Sequence, residues 1–589
     1  MVKNILFFLI TYLFLHLNSF AIPNSSIDQW GVFELTLNGP SVGNPFIDVT
    51  LSAEFKKGTK VYKPEGFYDG NGIYKIRFMP DEIGTWTYTT HSNKAELDGI
   101  TGSFECIAPS PGNHGPVRVK DQYHFAYSDG KRFFPVGTTL YCWELERYNE
   151  TLNTLATSRI NKVRYMPFPH GGNQLPIYPF KGSPNSWDFY SPNPAFWQMI
   201  DRSVKDLGNL GVQADFIFFH PYDRGQWGLD KMTWEQKKFY LKYVTSRLAA
   251  YSNVWWSMAN EFSLINDSPI YWDSLAQIVA DTDPFDHMQS IHDYPNTEYP
   301  WDSSSWCTHV SIQTWDVNKI NSLKIKYKKP VIDDEYQYEG NVNDWGNLTG
   351  YEEVRRHWIA TIEGGYATHG EAYDPYFFCW KGGKPLLYSF ARVSWLSEEV
   401  MNNDAKPLPQ GLENFNDQYA HVDEDYYLYY YSNSTTSGKT YTKPAGKQYY
   451  ADVLDTWNMT VTEKGIYSGT FTITWPSNQY IAVRIYNTNL ISGNITNQKT
   501  LPTEFSLSDN FPNPFNPSTT INYSIPQSSF VTLKMYDIIG REVATLVYEE
   551  KFPGNYEIKF NGENIPTGIY FYRMQAGNFT QTKKLILLK

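Results

Sequence analysis

The sequence predicts a multidomain protein with a central (β/α)8 TIM barrel flanked by all-β sandwich domains. Three observations carry this expectation. The chain has 589 residues, too many for one hydrophobic core. Between residues 117 and 405, strand-like runs alternate with amphipathic helical runs, the order of a barrel built from βα units. On either side, short alternating strands and turn residues replace the helices.

The elements follow in order. Residues 1–21 read as a signal peptide, with Lys3, an apolar stretch from Ile5 to Leu17, and small residues at Ser19 and Ala21. The apolar run is shorter than the roughly 20 residues a membrane span needs. No later segment is long and apolar enough, so no transmembrane segment is expected after signal cleavage. Residues 28–109 form an N-terminal β-sandwich, with alternation at Trp30–Leu37 and Ile73–Phe78 and turn chemistry at 66–72. A proline- and glycine-rich linker at 109–116 leads into the barrel at 117–405. Its eight strands are expected at 133–137, 163–167, 214–219, 254–258, 289–292, 310–313, 330–333 and 365–369. Thr233 with Gln236, and Thr349 with Glu352, are capping boxes before helical runs. A doubly wound sheet is the alternative, but no glycine-rich phosphate turn accompanies it. Residues 415–500 return to strand patterns, at 426–431, 470–475 and 480–486, and read as a C-terminal β-domain. Residues 505–589 form a tail module.

Composition narrows the function. A net charge of −12 argues against nucleic acid as the main partner, because a phosphate backbone calls for a basic footprint. Aromatic content is 17%, with 45 Tyr and 19 Trp, which suits stacking on sugar rings but also suits strands. Cys106, Cys142, Cys307 and Cys379 match no metal spacing and are expected as buried free thiols.

Two segments carry chemistry. The hydrophobic run from Val254 ends in Asn260-Glu261, where the fourth barrel strand would end. The run from Pro330 ends at Glu335, after the seventh. Barrel strands present their active site at their C-terminal ends. Two carboxyl groups there suit glycosidic cleavage. One stays protonated to assist the leaving oxygen; the other is ionised, about 5–5.5 Å away when the mechanism is retaining. Burial, a neighbouring negative charge and the flank of Trp255 and Trp256 would raise the acid's pKa.

The pair resembles that of the clan A glycoside hydrolases, (β/α)8 barrels with Asn-Glu after strand four and Glu after strand seven. The resemblance implies that Glu261 is the acid/base, Glu335 the nucleophile, and Asn260 a hydrogen-bond partner of the sugar 2-hydroxyl. The sequence departs from the clan where a Tyr often follows strand six. Here Ser311–Trp315 contains none, and Gln313 stands in its place. His170, His220, Tyr222, His292, Trp315, His369, Glu371 and Trp380 follow other strands and are candidate sugar contacts, with Trp143 a stacking platform. The histidines are widely spaced, so sugar rather than metal is expected, and no cofactor. The tail resembles the C-terminal sorting domain of the type nine secretion system, in the run Asn513–Pro517 and in Pro566–Tyr572. That resemblance implies the type nine machinery as a partner and a secreted or cell-surface location.

The sequence thus points to a secreted retaining glycoside hydrolase acting on plant, algal or microbial polysaccharide or oligosaccharide. Glu335→Ala is expected to abolish turnover with little loss of stability. The alternative is a non-catalytic carbohydrate-binding surface protein on a degenerate barrel.

Overall fold

The computed structural model describes residues 26–588, apart from 169–176, 224–227, 230, 267, 293–298, 302, 343–344, 387–388, 403–412, 417–418, 423, 492–503, 527–528 and 552–553. The expected signal peptide and His170 lie outside the described residues. No helix among them is long and apolar enough to cross a membrane. The chain divides into two compact units at Leu490/Ile491.

The first unit is built around an eight-stranded parallel sheet. Its strands are β1 (Val136–Tyr141), β2 (Lys162–Met166), β3 (Gln213–Phe219), β4 (Val254–Ala259), β5 (Gln289–Ser290), β6 (Val310–Ile312), β7 (Val331–Asp333) and β8 (Tyr366–His369). The order around the sheet is β5-β4-β3-β2-β1-β8-β7-β6, and a parallel bridge from His292 to Ser311 joins its two ends. The sheet therefore closes as the barrel the sequence predicted. Among the described residues, seven helices of eight residues or more follow seven of the strands: α1 (Tyr148–Ala156), α2 (Pro194–Asn209), α3 (Trp234–Leu248), α4 (Pro269–Thr282), α5 (Ile320–Tyr327), α6 (Gly350–Ile362) and α7 (Ser389–Leu396).

Most strands fall within a residue or two of the expected positions. The first does not. Arg132–Phe133 pairs antiparallel with His124–Tyr127, and β1 starts only at Val136. Phe125 and Phe133 pack on Trp255, with ring centroids 5.3 and 6.1 Å apart. This hairpin plugs the barrel floor. Trp255 therefore faces the floor, and the Trp256 indole N–H donates to Asp283 at 2.8 Å. Neither ring flanks Glu261 as expected, because both lie at the start of β4 and not at its end.

Alternation along each strand sorts the interior from the helix-facing side. On β2, Lys162 and Arg164 point inward, whereas Val163 and Tyr165 belong to the apolar layer beneath the helices. Lys162 Nζ lies 2.6 Å from Asp215 on β3 and 3.0 Å from Asp334. Asp334 also accepts from Ser311 and Thr368, each at 2.6 Å. This fully buried layer crosses the barrel below the mouth. Gly137 leaves room for it, since a Cβ there would lie 2.8 Å from the Thr368 hydroxyl.

The capping boxes differ. Thr233 and Gln236 bond each other's backbone N–H reciprocally. At Thr349 only half forms: its hydroxyl accepts from Glu352 N–H, while the Glu352 carboxylate is drawn to Arg355 and Arg356. An ion pair outcompetes the reciprocal cap.

The N-terminal strands form a five-stranded and a three-stranded sheet. Phe33 stacks on Phe104, and Phe55 on Phe78, at 4.2 Å in each case. The sandwich meets the barrel through buried ions. Arg77 pairs with Asp201 of α2 at 2.8 Å, and Arg247 of α3 with Asp69 and Asp201 at 2.7 Å each. Strands from 413 to 487 form a six-stranded antiparallel sheet. It packs on the barrel's helices through Trp358 against Tyr430 and Arg392 over Trp457. The second unit holds a three-stranded and a four-stranded sheet around Ile521, Leu533, Met535, Tyr572 and Leu585. All four cysteines are buried free thiols.

Candidate active site

The mouth of the barrel gathers side chains from six of its strands. β4 ends at Ala259, and the next two residues, Asn260 and Glu261, are 3% exposed. The backbone here is pinned from both sides. Asn260 N–H donates to Phe219 C=O at 2.8 Å, and His292 N–H to Ala259 C=O at 3.0 Å. Glu261 itself is left-handed, with φ 46°, a conformation that costs a non-glycine residue on the order of 1–3 kcal/mol. Its own N–H donates to His292 Nδ1 at 3.3 Å. The imidazole, held neutral by burial, thus fixes the turn that aims Glu261.

Glu335 arrives from the end of β7. Arg164 of β2 donates to its Oε1, and the Tyr141 hydroxyl at the end of β1 donates to the same oxygen at 3.1 Å. Arg164 also donates to the Tyr141 hydroxyl at 2.6 Å and to Asn260 Oδ1. One guanidinium therefore ties Glu335 to Asn260, the neighbour of Glu261. It also orients the Asn260 amide, whose oxygen is taken and whose NH2 remains to donate.

Burial and the charge of Glu335 push the Glu261 carboxyl up to about 8, against the opposing pull of a Gln313 hydrogen bond and of Arg164. Among the described residues, Glu261 Oε2 and Gln313 Oε1 are buried with no partner. Such orphaned groups are costly unless a ligand or water completes them. Gln313, at the place the sequence assigned it after β6, thus touches Glu261 rather than Glu335. The hydroxyl beside Glu335 comes from Tyr141 on β1. Asp333 and Asp334, adjacent to Glu335 in sequence, are separated from it in space: Asp334 turns down to Lys162, and Asp333 accepts from Thr314 N–H.

The remaining candidates divide. His220 is buried after β3, with Nδ1 accepting from Tyr222 N–H at 3.2 Å. Tyr222 is half-buried beside it. Trp315 is 52% exposed, near Trp345, and Trp380 is half-buried against Phe377. Three expectations are corrected. Trp143 is wholly buried and stacked on Tyr148, so it offers no face to a sugar. His369 and Glu371 point the other way from Thr368, out of the barrel toward α7. His369 is held there by Thr138 and Ser389, each at 3.0 Å. Alternation decides this: Thr368 already fills the inward position. Arg164 and Tyr141 were missed. The signal was available, since a lone Arg within the apolar run Val163–Met166 must be buried beside a charge.

Comparison with known proteins agrees with the barrel fold. Residues 119–373 match the model of the apiosidase-like catalytic domain. Residues 26–93 and 415–486 match two domains of unknown function, DUF5060 and DUF5605. Residues 509–588 match the secretion system C-terminal sorting domain. None of the curated proteins matches. A candidate glycoside hydrolase from Bacteroides vulgatus, known as a crystal structure, is 34% identical, with a TM-score of 0.73 over 78% of this chain and 99% of its own. A glycoside hydrolase family 5 protein of the same organism is 16% identical, with a TM-score of 0.49 over 64% of this chain and 95% of its own. At the identity and coverage of the first of these, the chain belongs to the same glycoside hydrolase family, with an apiosidase-like catalytic domain in its barrel.

Proposed function

We propose that the protein is an exported retaining glycosidase in which Glu261 is the acid/base and Glu335 the nucleophile. One observation carries the reading. A single buried guanidinium links Glu335 to Asn260, and the adjacent Glu261 keeps its proton to about pH 8. A protonated and a charge-paired carboxyl at one barrel mouth is the division of labour glycoside cleavage calls for.

In the first step a Glu335 oxygen attacks the anomeric carbon as the bond to the leaving oxygen breaks. The Glu261 proton passes to that oxygen, delivered from Oε2, which no group among the described residues engages. Asn260 donates to the neighbouring sugar hydroxyl. In the second step water attacks the same carbon, gives a proton to Glu261, and releases Glu335. Apiosides are the first substrates to test, given the apiosidase-like match; other plant, algal and microbial glycans follow. The tail match supports export through type nine secretion, with an amino-terminal signal peptide for the first membrane.

The test is hydrolysis of a panel of defined oligosaccharides, apiosides included, with the first-formed anomer read by NMR. Net retention supports the two assignments. An inverted first product removes Glu335 as nucleophile. Tight binding to the panel without turnover would favour the carbohydrate-binding alternative.

A further inference from the structure

A second polar cluster lies on the outer side of β8, where His369 meets Thr138 and Ser389. Glu339, His369 and Glu371 are 2%, 0% and 1% exposed, and one ligand-type atom from each lies within 4.8 Å of the others. Nothing in the proposed reaction uses them. We propose that these three residues form a site for one first-row divalent cation, zinc or manganese, that clamps the segments following β7 and β8 together.

Three observations support this. First, Glu339 and Glu371 stand directly opposite each other, in register, in a short parallel pair, Glu339–Gly340 with Glu371–Ala372. Like charges in that position repel, and burial removes the water that would screen them. Second, a further carboxylate is buried next to the chain that joins two of the three. Glu353 of α6 is fully buried, and its Oε1 accepts at 3.2 Å from the N–H of Gly370, the residue between His369 and Glu371. Third, the His369 ring is fixed by a hydrogen-bonding partner at each nitrogen. Thr138 on its Nδ1 side orients the ring with Nε2 toward Ser389 and Glu339. A hydrogen-bonded outer partner of this kind is usual behind a metal-binding histidine. An imidazole with two carboxylates suits zinc or manganese better than calcium, which prefers oxygen alone.

The test uses the full-length protein, purified without chelator, then dialysed against EDTA and re-titrated with zinc or manganese. Elemental analysis should find about one equivalent per chain, as a single site requires, and re-addition should raise the thermal midpoint by several degrees. Glu339→Gln and Glu371→Gln should each lower retained metal at least tenfold, while Glu335→Gln, at the mouth, retains it. Should one variant fold poorly, the other, together with the wild-type cobalt(II) absorption spectrum, still decides. The proposal is overturned if wild-type protein takes up neither metal. It is equally overturned if both glutamine variants hold as much metal as wild type.

Discussion

Two clusters of buried charge in the first unit use the same residue types to opposite ends. Between the sandwich and the barrel, Arg77 and Arg247 meet Asp69 and Asp201. Arg77 spends its three nitrogens on Glu34, Arg247 C=O and Asp201. Arg247 spends its own on Asp201, Tyr243 and Asp69. Both arginines stay charged, and Asp201 is held below its usual range by both of them, against burial. At the mouth, Arg164 meets Glu335 and Asn260, but Glu261 and Gln313 each retain an oxygen with no partner. The first cluster is closed and holds two domains in place. The second is complete on one side and open on the other, and its open side holds a proton. The difference separates a group kept for packing from one kept for a substrate.

The comparison breaks most visibly if Glu335 is replaced. Glu335→Gln should lower kcat by roughly 10⁴-fold or more, the scale seen when a nucleophile is removed. Its cost in stability should nonetheless be small. Removing the Glu335 charge takes away one of the two causes that hold the proton on Glu261, burial being the other, so Glu261 ionises more readily and offsets part of the charge left on Arg164. The closed cluster has no such reserve. Arg247→Met leaves Asp69 and Asp201 buried with one cation fewer, and should cost about 3–5 kcal/mol in denaturant unfolding, with kcat per folded molecule unchanged. Equal stability losses in the two variants would show that the mouth has no proton to give up.

The sequence made the open side of the mouth legible and hid the closed side. Asn260-Glu261 and Glu335 stood out because a carboxylate at the end of a hydrophobic run has no packing purpose. The strands were legible because their runs are apolar on both faces, as buried parallel strands are. Arg164 and Tyr141 were hidden because they sit inside such runs, where the eye counts residues as core. His369 and Glu371 were misplaced for the converse reason. They follow β8 in sequence, but the parity of the strand, set by Thr368 reaching Asp334, turns them outward. The first strand was shifted because Phe133 and Phe134 are as apolar as the strand itself, and only the hairpin with Phe125 claims Phe133.

The proton on Glu261 gives a prediction of intermediate size. Its folded-state pKa, about 8, lies above the ordinary carboxyl value. Between roughly pH 4.5 and pH 8 the native state holds a proton that the unfolded chain has released. Stability therefore falls as pH rises through that window. Glu261→Gln cannot release a proton, so it should be more stable than wild type at pH 8, by on the order of a few kcal/mol, and equal to it near pH 4. The same substitution should remove the fall in kcat/KM above pH 8. Thermal unfolding of both proteins across pH 4–9 checks this, and parallel curves would refute it.

The two polar partners of the carboxyl pair distinguish the sides more finely. Tyr141→Phe removes one donor from Glu335 while Arg164 remains, so kcat should fall by about 10–100-fold, the loss of one hydrogen bond to a charged group, with the pH profile unmoved. Gln313→Ala acts on the other carboxyl. Gln313 lowers the Glu261 pKa by hydrogen-bonding its charged form, so its loss should shift the basic limb of kcat/KM upward by about half a unit with little change in the plateau. A shift downward would mean that Gln313 favours the protonated acid, accepting its proton through Oε1. That outcome would reverse the orientation of its amide and leave the NH2, not the oxygen, to meet the sugar.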